Sequence, residues 1–214
     1  MRHLRTALVF VLCLVPGLLP GPLTPDLEAQ EKPARWLIQV GPVLTLPTGD
    51  LAAVDPATGG LATSDFGFGA RGVVTVTRRL ALFISWTRHA FGFDTVMYEG
   101  YVGQDVWDTE QKVDVVAGGL RWYIPTVDEH RPYFQGGIGS YRYEISGIRD
   151  QSPFGHTDDP GFGYTFGGGT ILPLGGFALD LSFTLHSTRV TFVEGTEDTA
   201  TWLLFSGWLT VPIW

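Results

Sequence analysis

From Arg35 onward the chain alternates apolar and polar residues over stretches of about ten residues, and Gly, Pro and Asp punctuate the stretches. Residues 35–46 set Trp36, Ile38, Val40, Pro42, Leu44 and Leu46 on one face. Residues 66–77 set Phe66, Phe68, Ala70, Val74 and Val76 against Gly67, Gly69, Arg71, Val73 and Thr75. Residues 80–91 oppose Leu82, Ile84 and Trp86 to Ser85, Thr87 and His89. Residues 112–124 oppose Val116, Leu120, Trp122 and Ile124 to Ala117, Gly119, Arg121 and Tyr123. The stretch 132–145 is too rich in Gly to assign a face, and 162–172 aligns Tyr164, Phe166, Thr170 and Leu172. The cleanest alternation runs Phe177, Leu179, Leu181, Phe183, Leu185 against Ala178, Asp180, Ser182, Thr184, His186. The eighth stretch, 201–214, carries Trp202, Leu204, Trp208 and Trp214. After Ala29 no helical apolar period is sustained over about 11 residues.

The links between stretches alternate in length. Short ones fall at Arg78-Arg79, Pro125 to Arg131 and Pro173 to Gly176; long ones span 47–65, 92–111, 146–161 and 188–200. Short turns at one end and long loops at the other are the plan of an outer-membrane barrel, with the short end periplasmic. In hydrocarbon every backbone polar group needs a partner within the protein, so lipid-facing strands must close on themselves. A soluble ligand-binding barrel would be polar outside, whereas here Gly, Thr, Ser and charges share the face that must turn inward. The expected fold is all-β: an eight-stranded antiparallel transmembrane β-barrel, an up-and-down meander, preceded by a cleavable signal peptide. The expected location is the bacterial outer membrane.

Composition fits that picture and adds a leader. Of the 214 residues 17% are charged and 13% aromatic, and 28 are Gly without a three-residue period, which excludes a disordered or collagen-like chain. Arg2 and Arg5 precede an apolar run from Ala7 to Leu19, and Leu27-Glu28-Ala29 offers a cleavage site before Gln30. Residues 1–29 are therefore expected to be a signal peptide and 30–214 the barrel domain. Cys13, the single cysteine, lies in the leader, so the mature chain has no disulfide or thiol chemistry. Removing Arg2, Arg5, Asp26 and Glu28 leaves the net charge at −8. Without a basic stripe, nucleic acid is not an expected partner.

Several stretches resemble the family of small outer-membrane β-barrels related to the OmpA transmembrane domain and to OmpW. They are Gly41-Pro42, Pro47-Thr48-Gly49-Asp50, Phe66-Gly67-Phe68-Gly69, the run Arg131 to Gly139, and the strand from Phe177 to His186. The resemblance covers Arg35 to Trp214. It implies the barrel fold, and it implies that a C-terminal aromatic, here Trp214, presents the last strand to the outer-membrane assembly machinery. Pro212 departs from that pattern, because proline cannot donate to a strand ladder.

Arg71, Arg121, Asp180 and His186 fall on predicted inward faces and form a candidate lumen charge network. An unpaired buried charge is costly, so Arg71 and Arg121 should have acidic partners, with Asp180 one candidate. Trp36, Trp86, Trp122, Trp202, Trp208 and Trp214 are candidate membrane-interface aromatics. His186-Ser187-Thr188 resembles the His and Ser two apart in outer-membrane lipid A deacylases; however, position 188 is Thr, and Ser187 points away from His186. No catalytic residue, metal site or cofactor is expected. The four long links hold fourteen acidic residues, and Tyr98, Tyr101 and Trp107 lie among them as either a recognition surface or loop packing. The expected function is a non-enzymatic barrel with a structural or surface-interaction role. A narrow channel for small or apolar solutes and a lipid A hydrolase are the alternatives. Outer-membrane lipid and the assembly machinery are the expected partners.

Overall fold

The computed structural model describes residues 36–53, 60–127, 130–191 and 197–213. The expected signal peptide and Trp214 lie outside them. Ten strands follow in order: β1 (Trp36–Gly49), β2 (Ala62–Thr63), β3 (Asp65–Thr75), β4 (Leu80–Phe93), β5 (Val106–Tyr123), β6 (Arg131–Arg149), β7 (Ser152–Thr157), β8 (Gly161–Pro173), β9 (Ala178–Thr191) and β10 (Glu197–Ile213). One helix, α1 (Thr95–Val102), lies between β4 and β5. Eight long strands pair antiparallel with their chain neighbours, and β1 pairs with both β3 and β10, which closes the ring. The short β2 and β7 lie outside the ring, on β4 and β6 respectively. The chain is thus a closed eight-stranded antiparallel barrel in meander order.

Its stagger can be followed residue by residue. From Leu80 on β4 the paired row passes Trp122, Phe134, Gly168, Phe183, Phe205, Leu44 and Phe66. Phe66 sits two steps beyond the Phe68↔Arg88 pair and so comes level with Ala90, ten residues above the start. A rise of that size over eight strands tilts them by roughly 40°. Outward apolar side chains run from Trp36 to Leu46 on β1 and from Leu203 to Ile213 on β10. At this tilt the belt is about 25 Å tall, the height an outer-membrane barrel presents to lipid. On its loop side the register lines up Arg88, Asp114 and Arg142 across β4, β5 and β6, and Arg88 pairs with Asp114 at 2.7 Å.

The inward parity expected for β1, β3, β4, β5 and β9 is the one observed, and β6 turns Tyr133, Gln135, Tyr141, Tyr143 and Ile145 inward. The eighth strand differs from expectation. Trp202 and Trp208 are not interface residues; both point into the barrel and are 0% exposed. Both faces of β10 are apolar, since Leu203, Phe205, Leu209 and Val211 alternate with Trp202, Leu204 and Trp208, so composition alone could not fix its facing. Glycines on the opposing walls make the room. A β-carbon on Gly69 would come within 3.0 Å of the Trp208 ring, and one on Gly163 within 2.8 Å of the Tyr141 ring.

Pro212 is accommodated at a strand end. The β9 ladder stops at the Thr210↔Ala178 pair, so Pro212 faces only Leu37 of β1. A missing donor there breaks no central ladder. The strands also run farther into the loop side than the alternation suggested. The last link shrinks from the expected 188–200 to 192–196, and β5 and β6 extend to Val106 and Arg149.

Candidate functional site

Near the short-turn end the lumen is crossed by a closed polar network. Asp180 of β9 accepts from Arg121 Nη1 of β5 at 3.2 Å, from Gln39 Nε2 of β1 at 2.7 Å and from the Tyr133 hydroxyl of β6 at 2.6 Å. Arg121 also donates to Gln135 Oε1, at 3.0 Å from Nη2, and its guanidinium lies 3.8 Å above the Tyr133 ring. Three strands thereby tie the carboxylate of a fourth. Gln39, Arg121 and Asp180 are fully buried, so no water-sized gap adjoins them. A buried ion pair is tolerable in this form, with the remaining donors and lone pairs satisfied.

Arg71 departs from the expected pattern. It has no carboxylate in contact among the described residues; its guanidinium lies 4.5 Å from the Trp208 ring and 5.8 Å from that of Phe83. Its Nε and Nη1 find no acceptor there. The oxygens of Asp180 are already engaged by three donors, and the inward Trp208 supplies a π face instead. Trp208 in turn donates to Ser182 Oγ at 3.1 Å, which bonds Ser206 Oγ at 2.8 Å.

An aromatic layer lies beyond, toward the long loops. His186 stacks on Trp202 at 5.4 Å and 10°, and His89 meets both rings edge-on at 5.0 and 5.4 Å. His186 Nδ1 lies 3.2 Å from the Tyr141 hydroxyl. Ser187 Oγ instead contacts Thr201 Oγ1 at 3.4 Å, and Thr188 Oγ1 donates to the Phe162 carbonyl. The hydroxyls that the deacylase resemblance would need are thus turned to other partners. Of the four lumen candidates, the structure joins Arg121 with Asp180, sets Arg71 beside them, opposite Gln39 on the neighbouring strand, and places His186 in the aromatic layer. Trp36, Trp86 and Trp122 point outward.

Among the described residues, several loop segments at this end are held by specific contacts. A 3-10 turn, Asp50–Ala52, drops Leu51 into the mouth of the barrel, where it is fully buried in the cluster of Phe91, Val113, Ile145 and Trp202. Gln111 Nε2 holds this loop through the Gly60 carbonyl at 2.6 Å. Tyr98 of α1 packs inward on Phe93 at 5.4 Å and receives Arg149 Nη1 at 3.3 Å, while Tyr101 and Trp107 stay exposed. Past the lipid belt β5 and β6 continue as a ribbon, and β7 folds back on β6 through Asp150-Gln151. Both turn residues have positive φ, 47° and 63°, the pair a two-residue type I′ hairpin requires.

No protein-family model matches the chain, and no curated protein matches it. Among solved structures it is similar to Neisserial surface protein A, NspA, at 13% identity and a TM-score of 0.58, over 86% of this chain and 100% of that one. It is also similar to Ail, the attachment invasion locus protein of Yersinia pestis, at 16% identity and a TM-score of 0.47, over 83% and 99%. AlkL, an outer membrane protein, aligns at 13% identity and 0.46, over 91% and 98%. Closed ring, lipid-facing belt and fold together define a small outer-membrane β-barrel protein, located in the bacterial outer membrane.

Proposed function

We propose that the protein is a non-enzymatic outer-membrane barrel whose working surface is its extracellular loops, with the lumen serving as their support. The observation that carries this reading is the filled lumen. The Arg121–Asp180 network, the Trp202–His186 layer and Leu51 lie one above another, each fully or almost fully buried. A solute path would have to displace all three. Above this support α1, the β5–β6 ribbon and β7 supply area for contact with a partner. Trp36, Trp86 and Trp122 serve as interface anchors in lipid. The last strand, β10, together with Trp214 after it in the sequence, is the segment the assembly machinery reads.

Planar-bilayer recording of the purified chain tests the proposal. The expected trace is quiet at all voltages, and discrete openings by the wild-type protein would replace this reading with the narrow channel. Exposure of lipid A to the protein should leave its acyl chains intact; their loss, abolished by His186→Ala, would establish the hydrolase.

A further inference from the structure

Helix α1 is anchored on one face and bare on the other. Asp94 caps it by accepting from the Met97 backbone at 3.1 Å, and Gly103 ends it at φ 66°. Glu99 Oε1 takes the Val106 N–H at 3.0 Å, and the Asp94 N–H reaches the Leu61 carbonyl at 2.9 Å. Tyr98, one of the inward residues, is 1% exposed. Helical spacing puts Val96, Met97, Gly100 and Tyr101 on the opposite side, where Val96 is 75% and Tyr101 51% exposed. Trp107, on the strand that follows, is also exposed. An ordered helix that shows its apolar side chains to water has the character of a contact surface rather than of a packing element.

Charge decides what fits there. Residues 94–111 hold Asp94, Glu99, Asp105, Asp108 and Glu110, and neither Lys nor Arg. The adjacent cations are engaged: Lys112 by Glu110 at 3.1 Å, and Arg149 by the Tyr98 hydroxyl. A second copy of this acidic chain would bring like charge, and so would an anionic lipid headgroup. We propose that Val96, Met97 and Tyr101, in a segment that also carries Asp94, Asp105 and Asp108, dock a basic peptide or protein surface that carries an apolar anchor. Tyr101 and Met97 supply the desolvated centre, and the carboxylates steer the approach and set its salt dependence. The helix is held before the partner arrives, so little ordering opposes binding. This proposal rests on the surface-interaction reading above and assigns that surface a site and a partner chemistry.

The test uses the whole barrel in phosphatidylcholine nanodiscs and a short amphipathic Leu/Lys peptide as probe, with empty discs subtracted. The peptide should bind the loaded discs, weaken as salt rises, and lose about tenfold or more in affinity with Met97→Ser plus Tyr101→Ser. Asp105→Asn with Asp108→Asn leaves the apolar face intact and should flatten the salt dependence. Heat-modifiable gel migration verifies that each variant is a folded barrel, and Tyr101→Ser alone provides a milder version. Equal binding by the double-serine variant, or equal binding of a Leu/Glu peptide, overturns the proposal. Self-association of the barrel that disappears in the serine variant overturns it in favour of a second copy. Failed peptide binding with a quiet bilayer trace sinks this inference alone, whereas channel openings remove the reading beneath it.

Discussion

The lumen and the extracellular loops handle polar groups in opposite ways. Inside, one carboxylate is surrounded by Arg121, Gln39 and Tyr133, so that its charge never meets water. Outside, Asp105 and Asp108 are exposed to solvent, while Asp94 and Glu99 take backbone N–H groups and Glu110 pairs with Lys112. The first arrangement makes the barrel one rigid object. The second leaves unspent contact area on a surface that the first holds still. Mutations should therefore separate sharply, with stability lost from below and recognition lost from above.

The largest effect should come from Asp180→Ala, which leaves Arg121 buried without its counter-charge and should cost about 3–5 kcal/mol. Urea unfolding of the barrel in lipid vesicles, followed by Trp fluorescence, measures it. Replacing both partners, Arg121→Met with Asp180→Leu, should recover most of the loss, because no charge then remains to solvate. A double variant as unstable as the single one would mean that the network matters for packing rather than for charge. Leu51→Ala comes next, at about 2 kcal/mol, the low end for a core leucine, since a loop relaxes more readily than a strand. The same unfolding assay, with proteolysis of the first loop as a second readout, reports it. Gly69→Ala should cost about 1–2 kcal/mol, because the added carbon meets the Thr87 methyl, the Trp86 carbonyl and the Trp208 ring. A neutral result there would show that Thr87 and Trp208 can both shift to make room. Tyr101→Ser should change stability by less than about 0.5 kcal/mol while weakening binding at α1, and that divergence is the sharpest form of the comparison.

Much of the fold was legible in the sequence wherever the two faces of a strand differ in chemistry. On β9, Leu179, Leu181, Phe183 and Leu185 alternate with Asp180, Ser182, Thr184 and His186, and only one facing is then possible. On β10 both faces are apolar, and the inward turn of Trp202 and Trp208 depends on glycines of distant strands such as Gly69, which no local period records. The facing of β6 was hidden for a related reason, because Gly136, Gly137 and Gly139 fall on both parities. Helix α1 has eight residues, too short to set up a period, although its Asp94 cap and Gly103 stop stand in plain view. In the lumen the Arg121–Asp180 pairing could be anticipated from shared facing. The partner of Arg71 could not, since it required knowing that a tryptophan had turned inward.

The ten-residue climb of the paired row has a consequence for how this protein fails. A ring of strands closes only when all its offsets sum to the same whole number, so no pair can slip by itself. A slip at the β1–β10 seam must be undone by an opposite slip elsewhere, and a slip by one residue would turn Trp202 and Trp208 into the lipid and Leu203 and Phe205 into the lumen. The seam thus behaves as a lock with one key position. Damage to β10 should appear as chains that never close, not as barrels slightly loosened.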